Sequence, residues 1–86
     1  MATMAIAHQD LLNAVDVAIA GDWEDAHAIV QRDEADDTAN WIHAVLHKIE
    51  GDEANSRYWY RRSGHAYEAY ADATAELAAI KAALTY

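Results

Sequence analysis

Residues 38–63 read TANWIHAVLHKIEGDEANSRYWYRRS, which is two helical patterns separated by one turn. In the first pattern, apolar side chains recur at helical spacing: Trp41, Ile42, Val45, Leu46 and Ile49. This broad apolar face predicts a helix over residues 38–50. Glycine accepts the left-handed conformation past a helix end and aspartate caps the next helix, so Gly51-Asp52 predicts a turn. A second helix over residues 53–63 then completes a helical hairpin.

The rest of the chain also shows helical rather than strand periodicity. Three further helices are predicted, with these bounds: Met4 or Ala5 to Ala20, Trp23 to Gln31 or Arg32, and Tyr67 to Thr85. Residues 33–37 predict a loop, because four like charges in five residues have no reason to pack. The last helix has a narrow apolar seam: Tyr70, Ala73, Leu77, Ile80 and Leu84. We therefore predict one all-α domain, residues 1–86, of about five helices.

Composition narrows the classes of function before any site is considered. A chain of 86 residues suffices for one domain, and the lack of cysteine excludes disulfides, thiolate metal sites and cysteine nucleophiles. The 15 acidic and 6 basic residues give a net charge of -9, which argues against a general nucleic-acid binder. No apolar run is long enough to span a membrane, and residues 1–9 contain no basic residue. We therefore expect a cytoplasmic protein.

The turn motif occurs twice, 30 residues apart. The segments GDWEDA at 21–26 and GDEANS at 51–56 each separate a longer helix from a shorter one, with a small residue five places after the glycine. A small residue there lets two antiparallel helices approach closely. The pattern resembles the turn of tetratricopeptide and Sel1-like helical hairpins. The resemblance implies two stacked hairpins and a capping C-terminal helix.

A second resemblance rests on the motif His-x3-His…Glu-Gly-Asp-x2-Asn-x2-Tyr-Trp-Tyr-Arg-Arg, which residues 43–62 contain. Residues 41–64, taken with the upstream segment 21–27, are similar to a family of small helical proteins of bacteria and fungi. The likeness covers about half of the chain. It implies a shared site without naming its chemistry. Ser63 stands where the family pattern has alanine, which is a small change at a helix end.

Histidines form one candidate site. His43 and His47 are four residues apart, so they project from the same face of a helix, and Glu50 extends that row. His27 supplies a third nitrogen ligand if the hairpins stack. Imidazole nitrogens and carboxylate oxygens are ligands of zinc and iron sites. Ala44 follows His43, so the catalytic glutamate of the His-Glu-x-x-His motif is missing. The alternative is that these histidines only pack or hydrogen-bond within the fold.

The fourth predicted helix contains a second candidate site. Three of the six basic residues lie at 57–62, interleaved with three consecutive aromatic residues. Arginine forks bind carboxylate or phosphate, and aromatic rings flank such ligands. We predict an anion site formed by these residues: Asn55, Tyr58, Trp59, Arg61 and Arg62, with His43 and His47 on the opposite wall. The alternative is structural, with Trp59 and Tyr60 in the core and the arginines paired within the chain.

Two functional interpretations follow. The first is a binding module without a cofactor, whose groove between the third and fourth helices takes a small carboxylate, another anion or an acidic peptide. The second is a metal-binding protein or metal-dependent hydrolase that uses zinc or iron on His43, His47 and Glu50, with His27. Without cysteine or a glycine-rich phosphate loop, nucleophilic catalysis is disfavoured. The seam of the last helix predicts either a cover for the hairpins or a homodimer.

Overall fold

The computed structural model describes residues 5–85, which form five α-helices and one 3-10 turn. Their bounds are α1 His8–Ile19, α2 Trp23–Val30, α3 Asp37–Ile49, α4 Glu53–Ser63, the 3-10 turn Tyr67–Ala69, and α5 Ala73–Thr85. The described residues contain no strand, so the prediction of an all-α fold with about five helices is confirmed. Within residues 5–85, no helix combines the length and apolar character needed to cross a membrane.

The first and last helices are shorter than predicted. α1 begins at His8 because the backbone of Ala7 is extended, with φ of -74° and ψ of 148°. The predicted start at Ala5 is therefore wrong, and the alternative start at Met4 lies outside the described residues. α2, α3 and α4 begin and end within two residues of the predicted positions.

Lys48 explains why α5 begins at Ala73 and not at Tyr67. Its Nζ donates to the backbone carbonyls of Tyr67 and Tyr70, at 2.9 and 3.0 Å, which draws this segment toward α3. Tyr70 is extended and 36% exposed, so its predicted place on the apolar seam is wrong. Asp72 then starts α5 by accepting the backbone N–H of Thr74 at 3.0 Å.

Two turns of the same geometry close the two hairpins. Gly21 and Gly51 have φ of +90° and +83°, in the region that favours glycine. Asp22 and Asp52 each accept the backbone N–H three positions later, at 3.3 and 3.2 Å. The predicted turns are therefore confirmed at both places.

The 30-residue repeat extends from the turns into the burial pattern. Buried pairs related by this offset are Leu11 and Trp41, Ala14 and Ala44, Val15 and Val45, Ala26 and Ser56, and Val30 and Tyr60. The two small residues after the turns, Ala26 and Ser56, are completely buried. α1 and α2 thus form one hairpin, α3 and α4 form a second of the same design, and α2 packs against α3.

α5 packs against α1 and α3 through Leu77 and Ile80, which are 2% and 0% exposed. These two residues of the predicted seam cover the hairpins of their own chain. This is one of the two roles that the sequence predicts for the seam. An exposed ion pair joins α5 to α1, with 2.8 Å between Lys81 Nζ and Asp16 Oδ1.

A buried carboxylate fixes α5 to the second hairpin. Glu76 is fully buried and accepts hydrogen bonds from Trp41 Nε1 at 2.9 Å, Tyr60 OH at 2.7 Å and Lys48 Nζ at 2.9 Å. Burial raises the pKa of Tyr60 far above its ordinary value, and the bond to Glu76 adds to this effect. Charge-assisted bonds of this kind offset the cost of removing a carboxylate from water.

The acidic segment is a loop over residues 33–36, as predicted, whereas Asp37 is the first residue of α3, and one of the charges in the loop is packed. Asp33 is 8% exposed and accepts the backbone N–H groups of Ile6 and Ala35, each at 3.1 Å. The expectation that none of these charges packs is therefore wrong for Asp33, because backbone donors replace its water. Asp36 caps α3 by accepting the backbone N–H of Ala39 at 2.8 Å.

Candidate metal centre

Three histidines from two helices converge where α2 packs against α3. His43 and His47 share one face of α3 because they are one turn apart, and His27 meets them from α2. The ligand nitrogens of the three side chains lie within 4.8 Å of one another. The ring centroids are 4.7 Å apart for His27 and His43, 5.3 Å for His27 and His47, and 5.0 Å for His43 and His47.

Two tryptophans hold the imidazole rings in place. The indole of Trp23 stacks on His27 with centroids 4.5 Å apart, and its Nε1 donates to the carbonyl of Leu46 at 2.6 Å. Trp59, on α4, stacks on His43 at 3.9 Å. Because Trp23 is tied to the backbone of α3, the contact also fixes how α2 lies on α3. The orientations of these rings are therefore set by packing.

The environment keeps at least two of these imidazoles neutral. His43 is 2% exposed, and burial, followed by the nearby His27 and His47, lowers its pKa to about 3. Burial also lowers the pKa of His27, with His47 adding to the effect and Glu50 opposing it. Among the described residues, the buried Nδ1 of His43 has no hydrogen-bond partner. Neutral imidazole is the form that binds a metal ion, because protonation removes the lone pair.

Glu50 orients the third histidine. Its Oε1 lies 2.6 Å from Nδ1 of His47, which is 6% exposed. An ionised carboxylate only accepts hydrogen bonds, so Nδ1 is the donor in this contact, and the neutral tautomer with a proton on Nδ1 leaves Nε2 available to a metal ion. Metal-binding histidines usually donate their second ring N–H to a carboxylate or carbonyl in this way.

The distances are compatible with chelation after a small adjustment. Bonds of about 2.0–2.1 Å from zinc to nitrogen place tetrahedral ligand atoms roughly 3.3 Å apart. The three histidine nitrogens, within 4.8 Å of one another, need to approach by no more than about 1.5 Å, which side-chain rotation can supply. The residues present therefore fit a transition metal ion such as zinc, iron, copper or nickel.

A second group of possible ligands shares His47. It adds Glu50 and Asp52, again with ligand atoms within 4.8 Å of one another. Both carboxylates are exposed, and Asp52 already accepts the backbone and side-chain N–H groups of Asn55 at the start of α4. Glu50, a predicted ligand, thus lies beside the protonated nitrogen of His47, where it orients the ring.

The basic-aromatic helix, α4, divides its predicted site residues among different surroundings. Trp59 is buried against His43, whereas Tyr58 is 44% exposed. The guanidinium of Arg62 lies over both rings, 5.7 Å from Tyr58 and 5.4 Å from Trp59. It donates to the carbonyl of Glu34 at 3.1 Å, in the 33–36 loop. This bond is one form of the structural alternative predicted for the arginines.

Arg61 and Arg62 line two separate depressions. Arg62 borders a groove of about 640 Å³ with Arg32, Asp33 and Glu34. Arg61 borders a depression of about 290 Å³ near His65 and the 3-10 turn. Asn55 donates its side-chain N–H to Asp52 at 3.4 Å, and His43 and His47 are buried. The structure thus brings the histidines together and leaves the two arginines apart.

The sequence prediction gives Trp23 no role at the histidine cluster and places Trp59 in the anion site, with His43 and His47 on the opposite wall. Trp23 precedes His27 by four residues, a spacing that places both on one face of α2 and that signals their stacking. Trp59 belongs to a different hairpin from His27 and sixteen positions separate it from His43, so no local spacing indicates their contact.

No family model matches the chain, and comparisons with curated proteins and with solved structures give no match either. The resemblances to tetratricopeptide hairpins and to the small helical family therefore stay predictions. The site has to be interpreted from its own geometry.

Proposed function

We propose that this domain binds one divalent transition metal ion through the imidazoles of His27, His43 and His47. The observation that carries the proposal is the convergence of three histidine nitrogens, from two helices, within 4.8 Å of one another. Zinc and iron are the cofactors expected from the residue types, since both accept imidazole ligands. Glu50 has the role of the carboxylate that orients a ligand histidine.

The surroundings support binding over simple packing. A core position filled only for packing is better served by an apolar side chain, because a buried imidazole loses its hydrogen bonds to water. His43 nevertheless lies buried in contact with two other histidines and a tryptophan. Three imidazole side chains that converge on one point favour a cation that all three can coordinate.

The experiment is a zinc titration of the protein made without a histidine tag and stripped with a chelator. We expect isothermal calorimetry to give one zinc ion per chain, and zinc to raise the melting temperature because it binds the folded state. His27→Gln should weaken zinc binding at least tenfold. His27 is the appropriate position because it is only half-buried, so the variant retains the fold.

His8→Gln is the matched control, since His8 is exposed on α1 and lies outside the cluster. It should bind zinc like the unaltered protein. Equal zinc affinity in the His27→Gln and unaltered proteins would remove the proposal, and so would the absence of any bound zinc. Circular dichroism of each variant checks that its helices are intact.

An anion or acidic-peptide site on α4 is the second candidate. The specific observation in its favour is that Arg32 and Arg62, which the 30-residue repeat relates, line one groove. Against it, Arg62 bonds the carbonyl of Glu34 and Arg32 lies 3.7 Å from Asp10. Tetratricopeptide-like partner binding, homodimer formation through the last helix and a cytoplasmic location also stay predictions.

A further inference from the structure

We infer that a metal ion on His27, His43 and His47 keeps one coordination position for a small exogenous ligand. The inference rests on the proposed metal site and goes beyond it by naming what the bound ion does next. Zinc and related ions with three protein ligands and an exchangeable fourth position form open sites, whereas structural sites use four protein ligands. Among residues 5–85, the histidine cluster offers three donors.

Glu50 is the strongest protein candidate for the fourth ligand of the ion, but its hydrogen bond to His47 holds it away from that position. Its Oε1 lies 2.6 Å from Nδ1 of His47, so an ion that binds this ring while the contact persists has Nε2 left to bind. These two nitrogens point in different directions from the imidazole, so Glu50 cannot serve both without leaving Nδ1. Asp52 is held as the cap of α4 by two hydrogen bonds from Asn55.

Access and size define the ligand class. His43 and His47 are 2% and 6% exposed, and Trp59 covers the ring of His43. His27 is half-buried on α2, so solvent reaches the cluster beside His27. Two indoles border the cluster, since Trp23 stacks on His27 and Trp59 stacks on His43. The open position therefore suits a small monodentate ligand, for which azide is the probe.

Cobalt(II) makes the fourth position visible, because it accepts the ligands of zinc and its visible absorption depends on coordination. The unaltered protein should bind one equivalent of cobalt, and azide should change the cobalt spectrum saturably at one azide per cobalt. Glu50→Gln should weaken cobalt binding by about 10–100-fold, the usual loss for a residue that orients a ligand, and keep the azide response. Glu24→Gln, an exposed carboxylate on α2, is the control and should change neither.

Each other outcome is decisive. An azide response that appears only in Glu50→Gln would identify Glu50 as the fourth ligand and overturn the inference. No azide response in either protein, with cobalt bound through His27, would identify a closed site and also overturn it. Failure of the protein to bind cobalt at all would instead remove the proposed metal site, so the two failures are distinguishable.

Discussion

The two helical hairpins share a backbone and a burial pattern but differ in the residues that form the histidine cluster. The offset of 30 residues pairs Gly21 with Gly51 and Ala26 with Ser56, which occupy the same positions in both hairpins. Elsewhere the equivalent residues are unlike: Asn13 and His43, Val17 and His47, Trp23 and Glu53, His27 and Arg57. The shared residues specify the fold, and the unshared ones form the candidate site.

Position in the stack explains why the site lies between the hairpins. α3 contacts α1, α2, α4 and α5, so His43 and His47 are enclosed. On α1, the equivalent of His43 is Asn13, which is exposed, and the equivalent of His47 is Val17, which is half-buried. Arg57 takes the place of His27 on α4, where the 3-10 turn packs instead of a helix. There it pairs with Glu53 and Glu68, at 2.8 and 2.6 Å.

The largest expected effect comes from the buried carboxylate that holds α5 against the second hairpin, and it is compared with the exposed ion pair that holds α5 against the first. Glu76→Ala should lower the free energy of unfolding by about 3–5 kcal/mol, because it leaves the ammonium of Lys48 buried without its carboxylate. Asp16→Asn removes the exposed ion pair with Lys81 on the first hairpin and should cost about 1 kcal/mol or less. Urea denaturation of the metal-free protein measures both. Equal losses would show that the buried carboxylate holds α5 no more strongly than the exposed ion pair does.

The next effect is the pH dependence that His43 gives to the second hairpin. The folded protein keeps His43 neutral down to a pKa of about 3, whereas the unfolded chain takes up a proton near the ordinary pKa of 6.5. Stability is therefore complete above pH 6.5 and is lost as the pH falls toward 3, by at most about 1.4 kcal/mol per pH unit. His43→Asn should flatten this slope in chelator-treated protein.

Asn13→His is the matched control for that experiment, because it places a histidine at the exposed equivalent position of α1. It should leave the slope between pH 4 and pH 6.5 unchanged. A slope that is the same in His43→Asn and in the unaltered protein would show that other groups, such as His27 and the carboxylates, cause the acid sensitivity.

The smallest effect tests what the hairpins share. Gly21→Ala and Gly51→Ala should each cost about 1–2 kcal/mol, because a side chain disfavours positive φ. Apart from the adjoining residues of the chain, no atom of residues 5–85 lies within 4 Å of the position that the new Cβ would take at either glycine, so the cost is conformational and the same at both. Thermal denaturation of the two variants should give similar melting temperatures. If one of the two substitutions left the melting temperature unchanged, the two turns would not be equivalent.

Local patterns predict most of the fold and part of the site. The apolar period and the Gly-Asp turns place α2, α3 and α4, since these features act over a few residues. The start of α5 is not predictable in this way, because it depends on Lys48 reaching carbonyls 19 and 22 residues away. The Ala-rich sequence alone favours a longer helix.

The same limit applies to the site. The spacing of His43 and His47 fixes their common face, and the turn motif indicates how His27 reaches them. The contact of Trp59 with His43 and the burial of Glu76 depend on partners distant in sequence, so neither follows from a local pattern. The direction of each arginine is likewise decided by acceptors on other segments, such as the carbonyl of Glu34.

The hydrogen bonds of Glu76 also set an order for folding. They join residues 16, 28 and 35 positions apart, whereas each hairpin turn closes over a few residues. Short loops close at a smaller entropic cost, so we expect both hairpins to form before α5 docks. In that order, the polar groups of Trp41, Lys48 and Tyr60, all on the second hairpin, exchange water for one carboxylate when α5 arrives. The last helix to dock therefore closes the second hairpin, while the ion pair between Lys81 and Asp16 links it to the first.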